Sequence, residues 1–276
     1  MKGKRLSVPE LKALSREVRA SVLRIIYEAG SGHPGGSLSS VDIMLTLYFH
    51  EMNHDPSDPK WSERDRFILS KGHAVPALYT VLAEAGYIPE ASLDTLRLFS
   101  SPLQGHPDAL KVPGIEVSSG SLGNGLSVAS GVAAAAKMDG KKLRVFCLLG
   151  DGECDEGLVW EAAMLAPHLR LSNLTVIVDR NRLQIDGCTE DVVCLDPLPE
   201  KWRAFNWNVV EADGHDYVQL MAAFKKAREH REGPTVIIAS TVKGKGVSFM
   251  EGVASFHGKP PSKEQLDQAL RELEAQ

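Results

Sequence analysis

Two apolar segments of the chain end in polar residues whose oxygen atoms could bind a divalent cation. LRVFCLLG is followed by Asp151 and Gly152, and LTVIVDR is followed by Asn181. Carboxylate and amide oxygens suit Mg²⁺ or Ca²⁺ rather than zinc, and the backbone carbonyl of Leu183 could add a third oxygen. If both segments are parallel strands, their carboxyl ends meet at the crevice where ligands of such sheets bind. The same pattern also fits an ordinary strand–helix turn in which Asp151 caps a helix.

Four of the nine histidines lie in separate turns rich in Gly or Pro. His33, His73, His106 and His257 stand in SGHPGG, SKGHAV, LQGHPD and SFHGKP. No pair has the short spacing of a zinc site, which disfavours zinc. Imidazoles suit proton transfer to and from hydroxyl groups near neutral pH, so the four are candidates for that chemistry if the fold gathers them. Taken singly, each could also be a solvated loop residue.

Glycine-rich segments could bind phosphate groups, but two familiar patterns are missing from the sequence. SSGSLGNGLS places Gly120, Gly123 and Gly125 before a helix, in the order G-x-x-G-x-G rather than the G-x-G-x-x-G of dinucleotide-binding folds. VKGKGVSF has a lysine and glycines at the wrong spacing for a Walker loop. An anion could instead meet the N-terminus of the helix predicted to begin near Asp155.

The elements that must position these residues alternate between apolar strands and amphipathic helices. Strands are predicted over RFILS, LRVFCLLG, LTVIVDR, WNVVEAD and PTVIIASTV, with helices over EGLVWEAAMLAPHL and DYVQLMAAFKKAREH. This alternation predicts an α/β fold, a parallel sheet with helices on both faces. The first half of the chain is predicted to be mainly helices and loops.

Capping residues and Gly or Pro set the predicted bounds of the other elements. SGHPGGS and residues 101–120 are predicted as loops. The Ala-rich segment 122–138 is predicted as a helix packed on most sides, because small residues allow another backbone to approach. The remaining predicted helices run from Ser7 to Gly30, from about Ser40 to Phe49, from the KGH segment through Ala85, and over about 262–275.

Composition places the chain among globular proteins and excludes several classes. It has 276 residues, of which 43% are apolar and 24% charged, unlike a disordered or fibrous sequence. Lys and Arg number 31 against 36 Asp and Glu, a net charge of −5 that disfavours nucleic-acid binding through bulk positive charge. No apolar run approaches ~18 residues, so no membrane span is expected. Four cysteines and no signal peptide indicate a cytoplasmic protein with reduced, buried thiols.

Taken together, these segments resemble the transketolase family of thiamine-diphosphate enzymes over nearly the whole chain. The resemblance rests on SGHPGG, DRFILSKGHA, QGHPD, SGSLGNGLS, GDGECDEG and DRNRLQIDG. GDG with a later Asn is the thiamine-diphosphate signature, and DRFILSKGH is the segment most specific to transketolases. The resemblance implies a single diphosphate-binding domain over residues 1–276. It also implies thiamine diphosphate and Mg²⁺, or Ca²⁺ or Mn²⁺, as cofactors.

The resemblance also implies a role for each candidate residue. Metal ligands would be Asp151, Asn181 and the carbonyl of Leu183. Contacts with the cofactor would come from His73, Gly120, Ser121, Leu122, Gly152, Asn181 and His257. The sugar carbonyl and hydroxyls would face His33, His106 and His257. Glu156, with Glu161, would link the paired cofactor sites across a dimer, so Glu156 belongs to both the catalytic and the cofactor-contacting sets.

Two residues depart from the family pattern. Family members usually have Pro where Ser121 stands, and a backbone carbonyl at this place contacts the aminopyrimidine, so the departure would allow a small shift of that contact. They usually have Asn where Arg180 stands. The Arg180 guanidinium would either bring a positive charge near the diphosphate or point to solvent.

Family transketolases have three domains in a chain over twice this size, and the resemblance covers only the first. We therefore expect the N-terminal subunit of a split transketolase. A separate subunit would carry the pyrimidine-binding and C-terminal domains, most simply as α₂β₂. The reaction would transfer a two-carbon ketol group from a ketose phosphate to an aldose phosphate, as in the pentose phosphate pathway. Two alternatives are a subunit that uses a branched or sulfonated sugar, and a non-catalytic cofactor-binding module.

Overall fold

A five-stranded parallel sheet forms the centre of the protein in a computed structural model, which describes residues 5–276. The spatial strand order is β1-β2-β3-β5-β4, and every neighbouring pair is parallel. The strands are β1 (Arg66–Leu69), β2 (Val145–Gly150), β3 (Leu174–Arg180), β4 (Asn208–Asp213) and β5 (Thr235–Ser240). All five predicted strands are therefore confirmed.

Helices cover both faces of the sheet, which confirms the predicted fold class. They are α1 (Val8–Glu28), α2 (Pro34–Thr46), α3 (Val75–Glu84), α4 (Asn124–Met138), α5 (Gly157–His168), α6 (Thr189–Val192), α7 (Leu198–Ala204), α8 (Tyr217–Glu229) and α9 (Lys263–Glu274). The side chain of Ser262 accepts from the Gln265 amide in a capping box, and α9 begins there as predicted. Among the described residues, no helix is both long and apolar enough to span a membrane.

Alternate residues along the buried strands supply two separate hydrophobic cores. On β2, Phe146 and Leu148 pack with α1, α2, α3, α8 and α9 on one face. Cys147 and Leu149 point to the other face, where they pack with α4, α5 and α7. Because successive side chains of a strand point to opposite faces, a sheet covered on both sides needs apolar residues at every position. This explains why the strands appear in the sequence as continuous apolar runs.

The second helix begins at Pro34, inside the segment that was predicted as a loop, so the predicted start near Ser40 is wrong. Proline is favourable in the first helical turn because its fixed φ suits the helix and its missing N–H costs no bond. Gly35 is needed because a Cβ there would lie 2.9 Å from the carbonyl oxygen of Phe256. The glycines therefore allow close packing of a helix rather than a turn. After Thr46 the chain continues as a π-helix, Leu47–Glu51.

Other differences from the predictions are local. The segment 101–120 has no regular element, as predicted, but it buries Leu103 and Val112 and so is not only a surface loop. The predicted helix near Asp155 begins at Gly157, after a short 3₁₀ helix, Gly152–Asp155. Cys188 is half-buried and Cys194 is exposed, so the expectation of buried thiols holds only for the other two cysteines.

The Ala-rich helix α4 is packed on one side and exposed on the other, so its predicted packing on most sides is wrong for this chain. Leu126 and Ala133 are buried against the sheet, whereas Met138 is 87% exposed. The neighbouring helix α5 also exposes apolar side chains, with Met164 65% exposed. Both helices therefore present apolar side chains to solvent.

Candidate active site

The carboxyl ends of β1, β2, β3 and β5 surround a cavity of about 230 Å³. Asp151 follows β2, Asn181 follows β3, and Lys243 lies shortly after β5. Parallel strands bring these ends to one edge, as the sequence predicted. The predicted site residues that line the cavity are His33, His73, His106, Gly120, Leu122, Asp151, Gly152, Asn181, Leu183 and His257.

The four loop histidines converge on this cavity. The ring centroids of His33 and His73 are 5.2 Å apart, and those of His73 and His257 are 5.0 Å apart. His33 also lies 5.5 Å from His257 and 6.4 Å from His106, measured between ring centroids. The fold thus gathers four imidazoles from four distant segments, and the interpretation of them as unrelated surface residues is excluded.

Burial and nearby cations keep these imidazoles neutral. Burial, followed by the positive charge of Arg97, lowers the pKa of His33 to about 4. Burial and the Lys243 ammonium lower the pKa of His257 to about 3. The pKa values of His73 and His106 are lowered too, mainly by burial. At neutral pH each ring therefore offers one nitrogen that accepts a proton or hydrogen bond and one that donates.

The three predicted metal ligands lie together at the bottom of the cavity. The Asp151 carboxylate accepts from the backbone N–H groups of Gly152, at 2.8 Å, and Arg182, at 2.5 Å. The Asn181 Oδ1 accepts from the Leu183 N–H at 3.1 Å. Burial and then the charge of Asp179 raise the pKa of Asp151 to about 6, although its two backbone hydrogen bonds and the Arg180 guanidinium act in the opposite direction.

Sequence reasoning missed a buried ion pair in the wall of the same cavity. The Lys71 ammonium donates to the Asp179 carboxylate and, at 3.0 Å, to the Gly36 carbonyl. Ser39 Oγ donates to the same carboxylate at 2.7 Å, and the Thr241 hydroxyl is a further donor to it. The sequence did contain a signal, a lysine and an aspartate at the ends of otherwise apolar strands. Charged residues are rarely buried without a partner, so these two could have been expected to pair.

Lys243 is a second lysine that the sequence analysis did not select. Its side chain is buried, and its Nζ lies 2.9 Å from both the Leu183 carbonyl oxygen and the His257 Nδ1. Burial and the charge of Lys71 lower the pKa of Lys243 to about 8. VKGKGVSF therefore brings a lysine to the site, although its spacing excludes a Walker loop.

Glu153, also missed, joins three loops around the cavity. Its carboxylate accepts from the backbone N–H groups of Gly123 and Gly150, each at 2.9 Å, and from the Ser70 hydroxyl. These groups lie at the start of α4, the end of β2 and the end of β1. Glu153 therefore fixes the relative positions of the segments that line one side of the cavity.

Residues 11–275 match the family described as "Transketolase, thiamine diphosphate binding domain". The chain belongs to the transketolase family. An apulose-4-phosphate transketolase subunit of Phocaeicola vulgatus is 44% identical over 268 residues, which cover 97% of this chain and 95% of that protein. The 6-deoxy-6-sulfo-D-fructose transketolase subunit SqwG of Clostridium sp. is 43% identical, with 96% of each chain covered.

Full-length transketolases match over a smaller share of their own length. Human transketolase is 43% identical over 267 residues, which cover 96% of this chain but 42% of that protein. The crystal structure of transketolase from Campylobacter jejuni superposes with a TM-score of 0.93 at 31% identity, covering 98% of this chain and 43% of that one. The fold and the domain type are thus those of the thiamine-diphosphate-binding part of a transketolase.

The cavity of this transketolase chain suits a diphosphate and a hard cation. Among the described residues, no cluster of three or more His, Cys, Asp or Glu side chains could hold a metal ion. Asp151, Asn181 and the Leu183 carbonyl offer one carboxylate, one amide and one backbone oxygen, a donor set of the kind that Mg²⁺ binds together with ligand oxygens. The buried Nδ1 of His33 has no hydrogen-bond partner in the described part of the chain, which leaves it available to a ligand.

Three predicted residues lie outside the cavity. Ser121 is exposed, and its carbonyl accepts from the Asn124 side chain and backbone. Glu156 stands at the N-cap of α5, and both Glu156 and Glu161 are exposed. In this chain alone they contact neither the histidines nor the predicted metal ligands. The cofactor contact of Ser121 and the roles of Glu156 and Glu161 across a dimer therefore stay predictions.

Arg180 is buried rather than pointing to solvent. Its side chain is 3% exposed, and its guanidinium donates to Thr189 Oγ1 at 2.7 Å and to Asp151 Oδ2 at 3.4 Å. The same guanidinium pairs with the carboxylates of Glu190 and Asp196. These contacts attach the segment 189–196 to the end of β3. They also neutralise the positive charge that could otherwise attract a diphosphate.

Proposed function

We propose that this chain is the thiamine-diphosphate-binding subunit of a split transketolase that transfers a two-carbon ketol group between sugars. The observation that carries the proposal is its match, over nearly the full length of both proteins, to relatives that are themselves named as transketolase subunits. The convergent histidines and the oxygen donors of the cavity are consistent with an intact site. They disfavour the alternative of a non-catalytic module.

In this proposal, Asp151, Asn181 and the Leu183 carbonyl hold Mg²⁺, or Ca²⁺ or Mn²⁺, and the Gly152 backbone contacts the diphosphate. Further contacts with the cofactor come from His73 and from residues 120–122. Thiamine diphosphate, when bound, supplies the carbanion chemistry. The exposed Glu156 serves the paired sites of an assembled dimer.

The chain's own contribution to the reaction is proton handling and orientation. The neutral imidazoles of His33, His106 and His257 face the carbonyl and hydroxyl groups of the sugar. Each neutral ring has one donor and one acceptor nitrogen, so His33 and His106 can hold a hydroxyl in place and exchange its proton near neutral pH. The Nδ1 of His257 accepts from Lys243, so His257 can donate to the sugar through Nε2. Burial of the cavity wall keeps these rings uncharged, and a charged ring would lose its acceptor nitrogen.

A separate subunit with the pyrimidine-binding and C-terminal domains would complete the site, most simply as α₂β₂. The test is co-expression of this chain with a candidate subunit of that kind encoded beside it. Ketol transfer from xylulose 5-phosphate to ribose 5-phosphate is then assayed with each chain alone and with both, with and without thiamine diphosphate and Mg²⁺. We expect activity only with both chains and both cofactors, and light scattering should show the assembled mass. Full activity of this chain alone would refute the split arrangement.

A specialised sugar is the second candidate function, and the names of two similar relatives favour it. One relative is named for apulose 4-phosphate and the other for 6-deoxy-6-sulfo-D-fructose. The assembled protein should therefore be tested with these two donors beside xylulose 5-phosphate. A value of kcat/KM at least tenfold higher for a branched or sulfonated donor would assign that substrate. The reverse order would favour the ordinary reaction of the pentose phosphate pathway.

A further inference from the structure

Both ring nitrogens of His215 are hydrogen-bonded behind the cavity, in the loop between β4 and α8. Nε2 accepts from the backbone N–H of Val242 at 2.9 Å, and Nδ1 lies 2.7 Å from the Asp42 carboxylate. A backbone N–H can only donate, so Nε2 carries no proton in this arrangement. The ring proton is therefore on Nδ1 and is donated to Asp42.

Asp42 is an ionised anchor for this tautomer. Burial alone would raise the pKa of its carboxyl, but the Arg19 guanidinium and the hydrogen bond from His215 hold that pKa well below its usual value. The Tyr217 hydroxyl donates to the same carboxylate at 2.7 Å, and Arg19 donates to it at 2.5 Å. The negative charge is thus fixed by three elements, which orients the His215 ring toward Val242.

The loop that carries His215 is also held on both sides. Gly214 N–H donates to the Ser240 carbonyl at 2.7 Å, and a Cβ at Gly214 would lie 2.5 Å from a Thr241 side-chain carbon. Asp216 caps α8 by accepting from the Val218 N–H at 2.8 Å. The loop therefore lies directly against the end of β5, with little freedom to move His215 away.

We propose that His215 is a positioning residue that places Lys243 in the cofactor cavity through its hydrogen bond to Val242. Val242 directly precedes Lys243, whose Nζ lies 2.9 Å from the Leu183 carbonyl and from His257 Nδ1. The neighbouring N–H groups of Thr241 and Gly244 donate to backbone carbonyls, whereas that of Val242 donates to this side chain. The inference rests on the proposed function in one respect, that the cavity holds thiamine diphosphate.

Two substitutions separate the two ends of the imidazole. His215→Gln places a carbonyl oxygen near the position of Nε2 and can still accept from Val242, but it gives up Asp42. His215→Asn places an amide near the position of Nδ1 and can still donate to Asp42, but it leaves the Val242 N–H without an acceptor. Both variants are made in the full chain, assembled with the partner subunit. Their unfolding midpoints in urea are compared first.

Two readouts test the proposal. Hydrogen exchange at the Val242 amide should be about tenfold faster in the Asn variant than in wild type, and near wild type in the Gln variant. The dissociation constant for thiamine diphosphate with Mg²⁺, from calorimetry, should rise about tenfold in the Asn variant and less than threefold in the Gln variant. Equal weakening in both, with equal loss of stability, would reduce His215 to packing and overturn the proposal.

Failure of the proposed function would look different. If the assembled wild-type protein binds no thiamine diphosphate, the function assigned to the cavity is wrong, and amide exchange alone then decides whether His215 holds Val242. If wild type binds the cofactor and neither variant differs from it in exchange or affinity, the function stands and the role of His215 is refuted.

Discussion

Asp179 and Asp151 are two carboxylates that lie close together at the carboxyl end of the sheet, and their pKa values are shifted in opposite directions. Asp179 pairs with Lys71 and accepts from Ser39 and Thr241. Burial would raise its pKa, but Lys71 and these hydrogen bonds lower it. Asp151, one strand away, keeps a pKa raised to about 6 by burial and by Asp179 itself.

The difference separates a structural charge from a functional one. A buried charge is tolerated when its partners satisfy it, and Asp179 is satisfied entirely by this chain. Asp151 receives two backbone N–H groups and the Arg180 guanidinium at 3.4 Å, but its raised pKa indicates that these partners do not offset the cost of its burial. Such a carboxylate gains from binding a cation, so in the proposed function the metal would bind at Asp151.

The largest effect should follow the loss of the satisfied charge. Asp179→Asn leaves the Lys71 ammonium buried without its anion, so we expect the free energy of unfolding to fall by about 3–5 kcal/mol. Urea denaturation followed by circular dichroism measures it. Asp139→Asn removes an exposed carboxylate at the end of α4 and serves as the matched control. A loss below about 1 kcal/mol, the range of exposed ion pairs, would show that Asp179 is not the structural member of the two.

The opposite pattern is expected for Asp151→Asn. The substitution removes a charge that burial disfavours, so stability should change by less than about 1 kcal/mol. The affinity of the assembled protein for thiamine diphosphate with Mg²⁺ should fall about 100-fold, which corresponds to ~2.7 kcal/mol. Asp155→Asn makes the same change on the adjacent exposed carboxylate and should leave the affinity within threefold. Unchanged cofactor affinity in Asp151→Asn would contradict the assignment of the metal site.

The sequence predicted Asp151 but not Asp179, and the reason is physical. Asp151 follows a glycine in a motif whose chemistry is local, so the pattern itself indicates a turn that presents a carboxylate oxygen. The partners of Asp179 lie on α2, after β1 and after β5, far away in the chain. A side chain that is satisfied only by distant segments leaves no local pattern. The same limit explains why Lys243 was missed, and it applies to Glu153 through its distant partners Ser70 and Gly123.

The fold was predictable wherever burial fixes the pattern. The strands and α8 follow from apolar runs and spacing that depend only on local position. The start of the helix at Pro34 was not predictable in this way, because Gly35 and Gly36 normally favour turns. Here they serve contacts with Phe256 and His73, which are distant in sequence. Tertiary contacts override local propensity at this point, next to the cavity, and the prediction failed there.

A smaller effect is expected from the loss of Arg180, which contacts Asp151 but not Asp179. Arg180→Gln should lower stability by about 2 kcal/mol, because Glu190 and Asp196 lose a buried partner but remain partly open to water. The segment 189–196 should become sensitive to limited proteolysis. Arg182→Gln is the control, since that side chain is 60% exposed and makes a single ion pair. Equal protease sensitivity of both variants would show that Arg180 does not hold the segment.

The smallest effect is expected for His33, which also lines the cavity. As for Asp151, burial in the folded protein disfavours its charged form. The pKa of His33 is about 4, below its ordinary value of 6.5, so the unfolded chain binds a proton between these pH values that the folded protein does not. The contribution of the neutral His33 ring to the free energy of unfolding is complete above pH 6.5 and is lost as the pH falls toward 4. Because solvent screens this half-buried ring, the loss should be about 1 kcal/mol. Between pH 7.5 and 5, the His33→Asn variant should therefore lose less stability than wild type, as measured by urea denaturation. If the free energy of unfolding depends on pH identically in both proteins, the acid sensitivity belongs to other groups.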